Sequence, residues 1–336
     1  MMFPFSYAIF FFSLLLGSII TISSTSWFTA WVGLELNMMS FIPLIAIKMN
    51  SYSSEAALKY FLIQALGSSL LIMSSFLSIS FLTISFILIL LTLLLKLAGA
   101  PFHFWFPQVM EGLTWPQAFL LSTIQKLGPM ILVSYLLIET ILLKMVIFSS
   151  ILSALIGALG GLNQMLLRKM IAFSSINHMS WMLIAISTGD AFWLLYFFIY
   201  SMILLSIMSI FHEMQVFSLS NLAQSDHSSS LRSLLISFNF LSLSGLPPFT
   251  GFIPKWIIIQ IMINSSLFIP LFFFIISALI TLYFYLRLII NFLLFTNPTM
   301  NFNMKYNSLP SNYSSIFLKS SFNFIGLFMP FYFLLL

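Results

Sequence analysis

From Tyr60 to Leu95 no residue carries a charge, and the same holds from Trp256 to Leu286. Apolar runs of that length cannot coat a domain that folds in water. Of 336 residues, 61% are hydrophobic and 6% are charged, and the mean hydropathy is +1.11, so the solvent around the folded surface is lipid. A spanning helix takes about 20 apolar residues. Cutting the chain at its polar and Gly/Pro punctuation gives segments near 3–22, 27–47, 57–80, 82–106, 117–138, 143–163, 170–188, 191–212, 232–262, 268–295 and 318–336. The expected fold class is an all-α membrane protein of about eleven transmembrane helices.

Two of these segments cannot be continuous helices. The fourth contains Pro101 and Pro107, and the ninth contains Gly245, Pro247, Pro248, Gly251 and Pro254. Proline removes a backbone donor, so each segment opens its hydrogen-bond ladder at membrane depth. Discontinuous helices at corresponding places in two halves point to inverted five-helix repeats of the antiporter-like type. The expected boundaries are 1–140 for the first repeat, 141–296 for the second, and 318–336 for a C-terminal helix.

Alternating the segments puts Lys48, Lys59, Arg168, Lys169, Arg232, Arg287, Lys305 and Lys319 at one face, that of the N-terminus, with Lys144 nearly alone opposite. By the positive-inside rule that face is the cytoplasm-equivalent side, and an odd span count carries Leu336 across the membrane. No Lys or Arg precedes Lys48, so the first apolar segment reads as a retained helix and not as a basic leader.

Ionisable groups inside such segments are expensive. Glu35 lies in WVGLELNMM, Lys96 in LLLKLAGAP, Lys126 in STIQKLGPM, and Lys255 follows the proline cluster of the ninth segment. Each charge at the bilayer centre costs about 2.5–3.5 kcal/mol on insertion scales, which marks these residues as functional. An ammonium taken out of water loses solvation and one beside a carboxylate regains stabilisation. Moving the carboxylate can therefore switch a lysine between holding and releasing a proton, although a Glu35–Lys pair could equally just tie helices together. His178, in SSINHMSWM, and His103, in PFHFWFP, can exist in both protonation states and are candidate relays or packing residues. His212 and His227 read as loop residues. Glu111 and Asp190 fall near helix ends, and Gly157 and Gly161 form a GxxxG packing step.

Other chemistry finds little support. No cysteine is present, which removes thiolate metal sites, disulfides and iron–sulfur ligation. No phosphate-binding loop, dinucleotide fingerprint or H-E-x-x-H pair occurs. The net charge of +5 is scattered and leaves no nucleic-acid footprint. The chain is expected to bind no cofactor or metal and to draw its energy from elsewhere.

The strings LKLAGAPFHFWFPQVMEG (95–112), QKLGP (125–129), RKMIAFSSINHMSWM (168–182) and LSGLPPFTGFIPKW (243–256) resemble, in order and spacing, the mitochondrial NADH dehydrogenase subunit 2 family. These are antiporter-like membrane subunits of respiratory complex I, and the Phe-rich composition is similar to arthropod versions. The resemblance covers residues from about 20 to 295. It implies a hydrophilic axis at mid-membrane on which Glu35, Lys96, Lys126 and Lys255 take the family's successive positions, and it implies that this chain lacks the first three helices of longer bacterial relatives. It also implies proton translocation driven by electron transfer from NADH to ubiquinone, with NADH, FMN, iron–sulfur clusters and ubiquinone held by other subunits. The implied partners are neighbouring membrane-arm subunits, antiporter-like ones among them, and inner-membrane phospholipids. The implied place is the mitochondrial inner membrane, with the N-terminus in the matrix and the C-terminus in the intermembrane space. A free-standing cation/proton antiporter and a structural scaffold subunit are the rival readings.

Overall fold

The computed structural model describes residues 5–46, 50–137, 139–219, 221 and 230–294. The chain opens with α1 (Phe5–Ile22), α2 (Trp27–Ile45) and α3 (Ser51–Leu77). The fourth expected segment is two helices, α4 (Leu82–Leu97) and α5 (Trp105–Gly112), and the fifth is α6 (Trp115–Ser122) with α7 (Ile124–Leu136). Then come α8 (Thr140–Gly161), α9 (Leu167–Thr188) and α10 (Asp190–Met214). The ninth segment divides into α11 (Ser230–Ser244) and α12 (Phe252–Asn264), followed by α13 (Phe268–Leu294). Among the described residues the only extended pairing is an isolated bridge between Leu166 and Ser218.

Helix α3 shows which solvent the bundle faces. Leu58, Leu62, Leu66, Leu70, Met73 and Phe76 form its exposed stripe, whereas Ser53, Gln64, Ser68 and Ser74 are buried. A polar interior under an apolar exterior is the reverse of a helix in water and fits lipid outside. Among the described residues seven stretches are long and apolar enough to cross a membrane: Trp27–Ile45, Ser51–Leu77, Trp115–Leu136, Thr140–Gly161, Leu167–Thr188, Asp190–Met214 and Phe268–Ile290. Tyr7–Ile22, Leu82–Leu97, Leu234–Ser244 and Phe252–Asn264 are shorter apolar helices. The expected helix at 318–336, Lys48, Lys305, Lys319, His227, and with them the total span count, lie outside the described residues.

Two helix pairs pack backbone to backbone. A Cβ on Gly17 of α1 would stand 2.8 Å from the Asn37 nitrogen and 2.9 Å from the Gly33 carbonyl of α2. A Cβ on Gly157 of α8 would stand 2.7 Å from the Asn177 nitrogen and 2.9 Å from the Phe173 carbonyl of α9. The two contacts use the same sequence spacing. Gly161 lets the Phe284 ring of α13 close on α8, so both glycines of the GxxxG step sit in helix contacts.

The breaks have identifiable causes. After α4, Ala98 is left-handed (φ 58°), and the Gly99 amide donates back to the Leu94 carbonyl at 2.8 Å. After α11, Gly245 is left-handed (φ 77°), and the Leu246 amide donates to the Leu241 carbonyl at 3.3 Å. Both are helix C-terminal turns closed by a left-handed residue, Ala98 in the first and Gly245 in the second, followed by prolines that cannot resume the ladder. The break between α6 and α7 falls at Thr123 (φ −119°, ψ −82°), where no Gly or Pro stands. There the Ser122 and Thr123 hydroxyls donate to the Phe119 carbonyl at 3.0 and 2.7 Å, offering the backbone a local alternative to the helix. Two expectations need correction. α3 starts at Ser51, not 57, because the Ser53 hydroxyl accepts the Asn50 amide at 3.2 Å and caps the polar first turn. His212 stands in the last turn of α10, not in a loop.

Three of the described basic residues gather at one end of the bundle. Arg168, at the start of α9, donates to the Leu113 carbonyl and lies over the Phe217 ring. Lys169 pairs with Glu111 at 2.6 Å, and Arg287 donates to the Leu162 carbonyl beyond the end of α8 at 3.0 Å. Lys144 is near the other end of α8. Glu111 is thus an ion-pair partner, and Asp190 sits in the first turn of α10, accepting from the Trp193 indole at 3.4 Å.

Candidate functional site

Lys96, Lys126 and Lys255 are all buried, each 3–6% exposed, and each meets a different environment. Among the described residues none has a carboxylate within ion-pair distance, the two ion pairs being Lys59–Glu55 and Lys169–Glu111. The charge must therefore be held by other means.

Lys96 occupies the last turn of α4, where the negative end of a helix dipole favours a cation. Its stem lies along Gly67 of α3, with Cε 3.3 Å from where a Cβ would be. Its head has no hydrogen-bond acceptor among the described residues and lines a small cavity shared with Asn37, Tyr60, Gln64, Gln125 and Lys126. That cavity measures about 20 Å³ to the centre of a water molecule, room for about one. The Leu95 carbonyl, at the break, accepts the Ala98 amide at 3.2 Å and the Trp105 indole N–H at 3.1 Å.

Lys126, two residues into α7, crosses to the central helix. Its ammonium donates to the Ser175 carbonyl of α9 at 3.3 Å and lies 4.8 Å from the centre of the Phe106 ring, a cation–π contact. Lys255 reaches over the second break. Its ammonium donates to the carbonyls of Ser244 at 2.7 Å and Leu243 at 3.3 Å, both at the C-terminal end of α11. A Cβ at Gly245 would stand 2.8 Å from the Lys255 Cδ, so only glycine lets the stem pass.

His178 stands between these lysines on α9, the most enclosed helix, with 89% of its spanning window buried. Its Nδ1 is 2.8 Å from the Tyr196 hydroxyl, its ring lies 5.0 Å from that of Tyr200, and the charges of both Lys126 and Lys255 act on it. Glu35, on α2, is half-buried. One of its carboxylate oxygens, Oε2, is shut off from solvent and has no hydrogen-bond partner, and its field reaches Lys96 and Tyr60. Glu35 thus acts on Lys96, Lys96 and Lys126 line one cavity, and Lys126 and Lys255 both act on His178. His103 stands apart from these groups. It is buried in the first break, with Nδ1 3.2 Å from the Pro101 carbonyl and its ring against Phe104.

Sequence reasoning passed over the neutral members of the site. The Tyr60 hydroxyl donates to Gln125 Oε1 at 3.1 Å, and Gln125 Nε2 donates to Asn37 Oδ1 at 2.9 Å. In the second half the Ser277 hydroxyl donates to Asn177 Oδ1 at 3.4 Å. Asn37 and Asn177 stand equally far from Gly17 and Gly157, a repetition visible in the sequence.

An all-helical membrane protein with buried cations beside interrupted helices has the architecture of an ion carrier. The family model described as NADH:quinone oxidoreductase/Mrp antiporter, TM, matches residues 24–81 and 75–281. NADH-ubiquinone oxidoreductase chain 2 of Anopheles gambiae is 46% identical over 331 residues, 95% of this chain and 94% of the relative. That of Aedes aegypti is 44% identical over 323 residues, 94% and 93% of the two chains. The chain belongs to this antiporter-like family and, within it, to the NADH-ubiquinone oxidoreductase chain 2 group. The same fold occurs in a chain of respiratory complex I from Thermus thermophilus with bound aureothin (TM-score 0.84, 22% identity, 97% of this chain and 79% of that one). It also occurs in the Mrp complex from Dietzia (TM-score 0.74, 15% identity, 82% and 58%).

Proposed function

We propose that the chain is a proton-translocating membrane-arm subunit of respiratory NADH:ubiquinone oxidoreductase, the enzyme its relatives are named for. The observation that carries the reading is the linked set of Glu35, Lys96, Lys126, His178 and Lys255, whose lysines lean on carbonyls, a ring or a small cavity and not on carboxylates. A proton held that way can be handed on, because no salt bridge has to be broken first. Lys96, Lys126 and Lys255 carry the proton, Glu35 tunes Lys96, and His178 relays between the two later lysines. His103 joins the path only through movement of the first break.

No bond-making step falls to this chain. NADH, FMN, iron–sulfur clusters and ubiquinone belong to other subunits, whose electron transfer supplies the energy, and neighbouring antiporter-like subunits continue the membrane arm. Phospholipids of the mitochondrial inner membrane cover the exposed apolar stripes. Arg168, Lys169 and Arg287 gather at one end of the bundle, which supports a matrix-side N-terminus and an intermembrane-space C-terminus. The matched contacts of Gly17 and Gly157 support repeats at 1–140 and 141–296, with 318–336 as a final helix. The fit of this chain to nearly the full length of its relatives favours an enzyme subunit over a free-standing antiporter. Three costly buried lysines count against a scaffold.

The test is Glu35→Gln in the assembled enzyme, reconstituted in sealed vesicles. Proton transfer should fall, with NADH oxidation slowing alongside if the two are tightly coupled, because the variant removes the one described carboxylate whose field reaches Lys96. Normal pumping between pH 6 and pH 8 would leave Glu35 a packing residue and remove the first member of the path.

A further inference from the structure

We infer that Gln125 is the gate of this path, a neutral amide that keeps Lys96 and Lys126 apart until it swings aside. The inference rests on the translocation reading above. Gln125 lines the same cavity as both lysines, and both ends of its amide are engaged. Tyr60 donates to its oxygen at 3.1 Å, and its nitrogen donates to Asn37 at 2.9 Å.

The chemistry of the group decides what it does there. A hydroxyl, an imidazole or a water can take a proton on one lone pair and give up another. An amide has separate acceptor and donor atoms, and passing a proton from one to the other would require its imidic acid form. In its present position Gln125 therefore completes a hydrogen-bonded bridge that conducts no protons. With it in place the cavity, about 20 Å³, holds about one water, and the amide occupies room that further waters would need. Both of its bonds are between neutral groups, the weaker class, so the clamp can be released. The mobility needed is at hand, because the α6/α7 break at Thr123 lies two residues before it and the Lys126 amide reaches back only to the Thr123 carbonyl at 2.9 Å. Tyr60 and Asn37 are positioning residues, fixing the amide from α3 and α2.

The experiment uses the assembled enzyme in sealed vesicles and reads NADH oxidation, protons pumped per NADH, and passive proton leak without NADH. Gln125→Ala enlarges the cavity, and Gln125→His replaces the amide with an imidazole, which relays protons without adding a counter-charge to the lysines. Both should keep oxidising NADH while pumping fewer protons per NADH and leaking more at rest. Tyr60→Phe, which removes one of the two bonds, should leak less than either. Gln125→Leu, an apolar plug, should lower pumping and oxidation together without leak. Should Gln125→Ala fail to assemble, Gln125→His carries the test alone. Leak and stoichiometry equal to wild type in Gln125→His would overturn the gate, as would proportionate loss of oxidation and pumping with no leak in that variant. Lys255→Met in the same vesicles separates the two readings: if it stops pumping while Gln125→His stays tightly coupled, only the gate is lost.

Discussion

Lys255→Met isolates the charge from the stem at the second break. The methionine keeps most of the side-chain volume that threads past Gly245, so packing there survives. What disappears is an ammonium bonded to Ser244 and Leu243 at 2.7 and 3.3 Å. Charge-assisted bonds contribute about 1.5–3 kcal/mol each, and a buried carbonyl left without a donor costs about 1–3 kcal/mol. Against this, removing a charge from membrane depth returns about 2.5–3.5 kcal/mol. The bond and carbonyl figures describe one loss from two sides; counted once for the two bonds it is about 3–6 kcal/mol, so the variant should assemble with a net loss of at most a few kcal/mol. Transport has no such compensation, because methionine holds no proton. Vesicles containing the assembled variant should show a large loss of NADH-driven acidification, read with a pH-sensitive dye against the NADH oxidation rate. Lys255→Arg should fail too: it keeps the charge and the carbonyl bonds, but a guanidinium does not release its proton. Wild-type pumping by the Met variant in an intact enzyme would reduce Lys255 to a helix cap.

Two further outcomes follow from the packing. Gly157→Val puts side-chain atoms where a Cβ alone would stand 2.7 Å from the Asn177 nitrogen, so α8 and α9 must separate at a cost of about 1–3 kcal/mol. A lower melting temperature of the solubilised enzyme checks it, and an unchanged one would mean that the helices are not packed this closely. Glu111→Gln breaks an ion pair with Lys169 whose side chains are 39% and 28% exposed. It should cost less than about 1 kcal/mol and leave pumping intact, and a pumping defect would place this pair on the proton path.

What the sequence reveals follows the cost of each feature. Buried lysines are legible because a charge within an apolar run is too expensive to be incidental, and Lys96, Lys126 and Lys255 all prove buried. The breaks after α4 and α11 are legible because Gly and Pro write them. The break at Thr123 is not, since no Gly or Pro marks it, and serines bonded in the same way to the preceding turn stand in other helices without breaking them. Asn37, Gln125 and Tyr60 escape notice because neutral groups that satisfy one another are cheap and leave no outlier. Their one trace is repetition: Asn37, Met39 and Ser40 recur as Asn177, Met179 and Ser180, at matching distances from the two close-packed glycines. That Glu35 acts on Lys96 without an ion pair depends on how α2 and α4 are set, which no spacing along one chain encodes.

The breaks and the lysines explain each other. In an unbroken membrane helix the carbonyls are already engaged by the ladder, so a buried ammonium there shares an occupied acceptor, as Lys126 does with Ser175 at 3.3 Å. A tight salt bridge there would stabilise the charge and also trap it. Ending α11 at Ser244 frees carbonyls that accept Lys255 without fixing a counter-charge beside it. The lysine also lies in the first turn of its own helix, α12, whose positive end opposes the cation, while the negative end of α11 attracts it. The two helix ends act in opposite senses on one ammonium, so its charge is balanced and not locked. Lys96 shows the complementary arrangement, with a favourable helix end but no acceptor, and the field of Glu35 also acts on it. In the proposed path, built from such sites, only small movements of the breaks and of one carboxylate are needed to move protons.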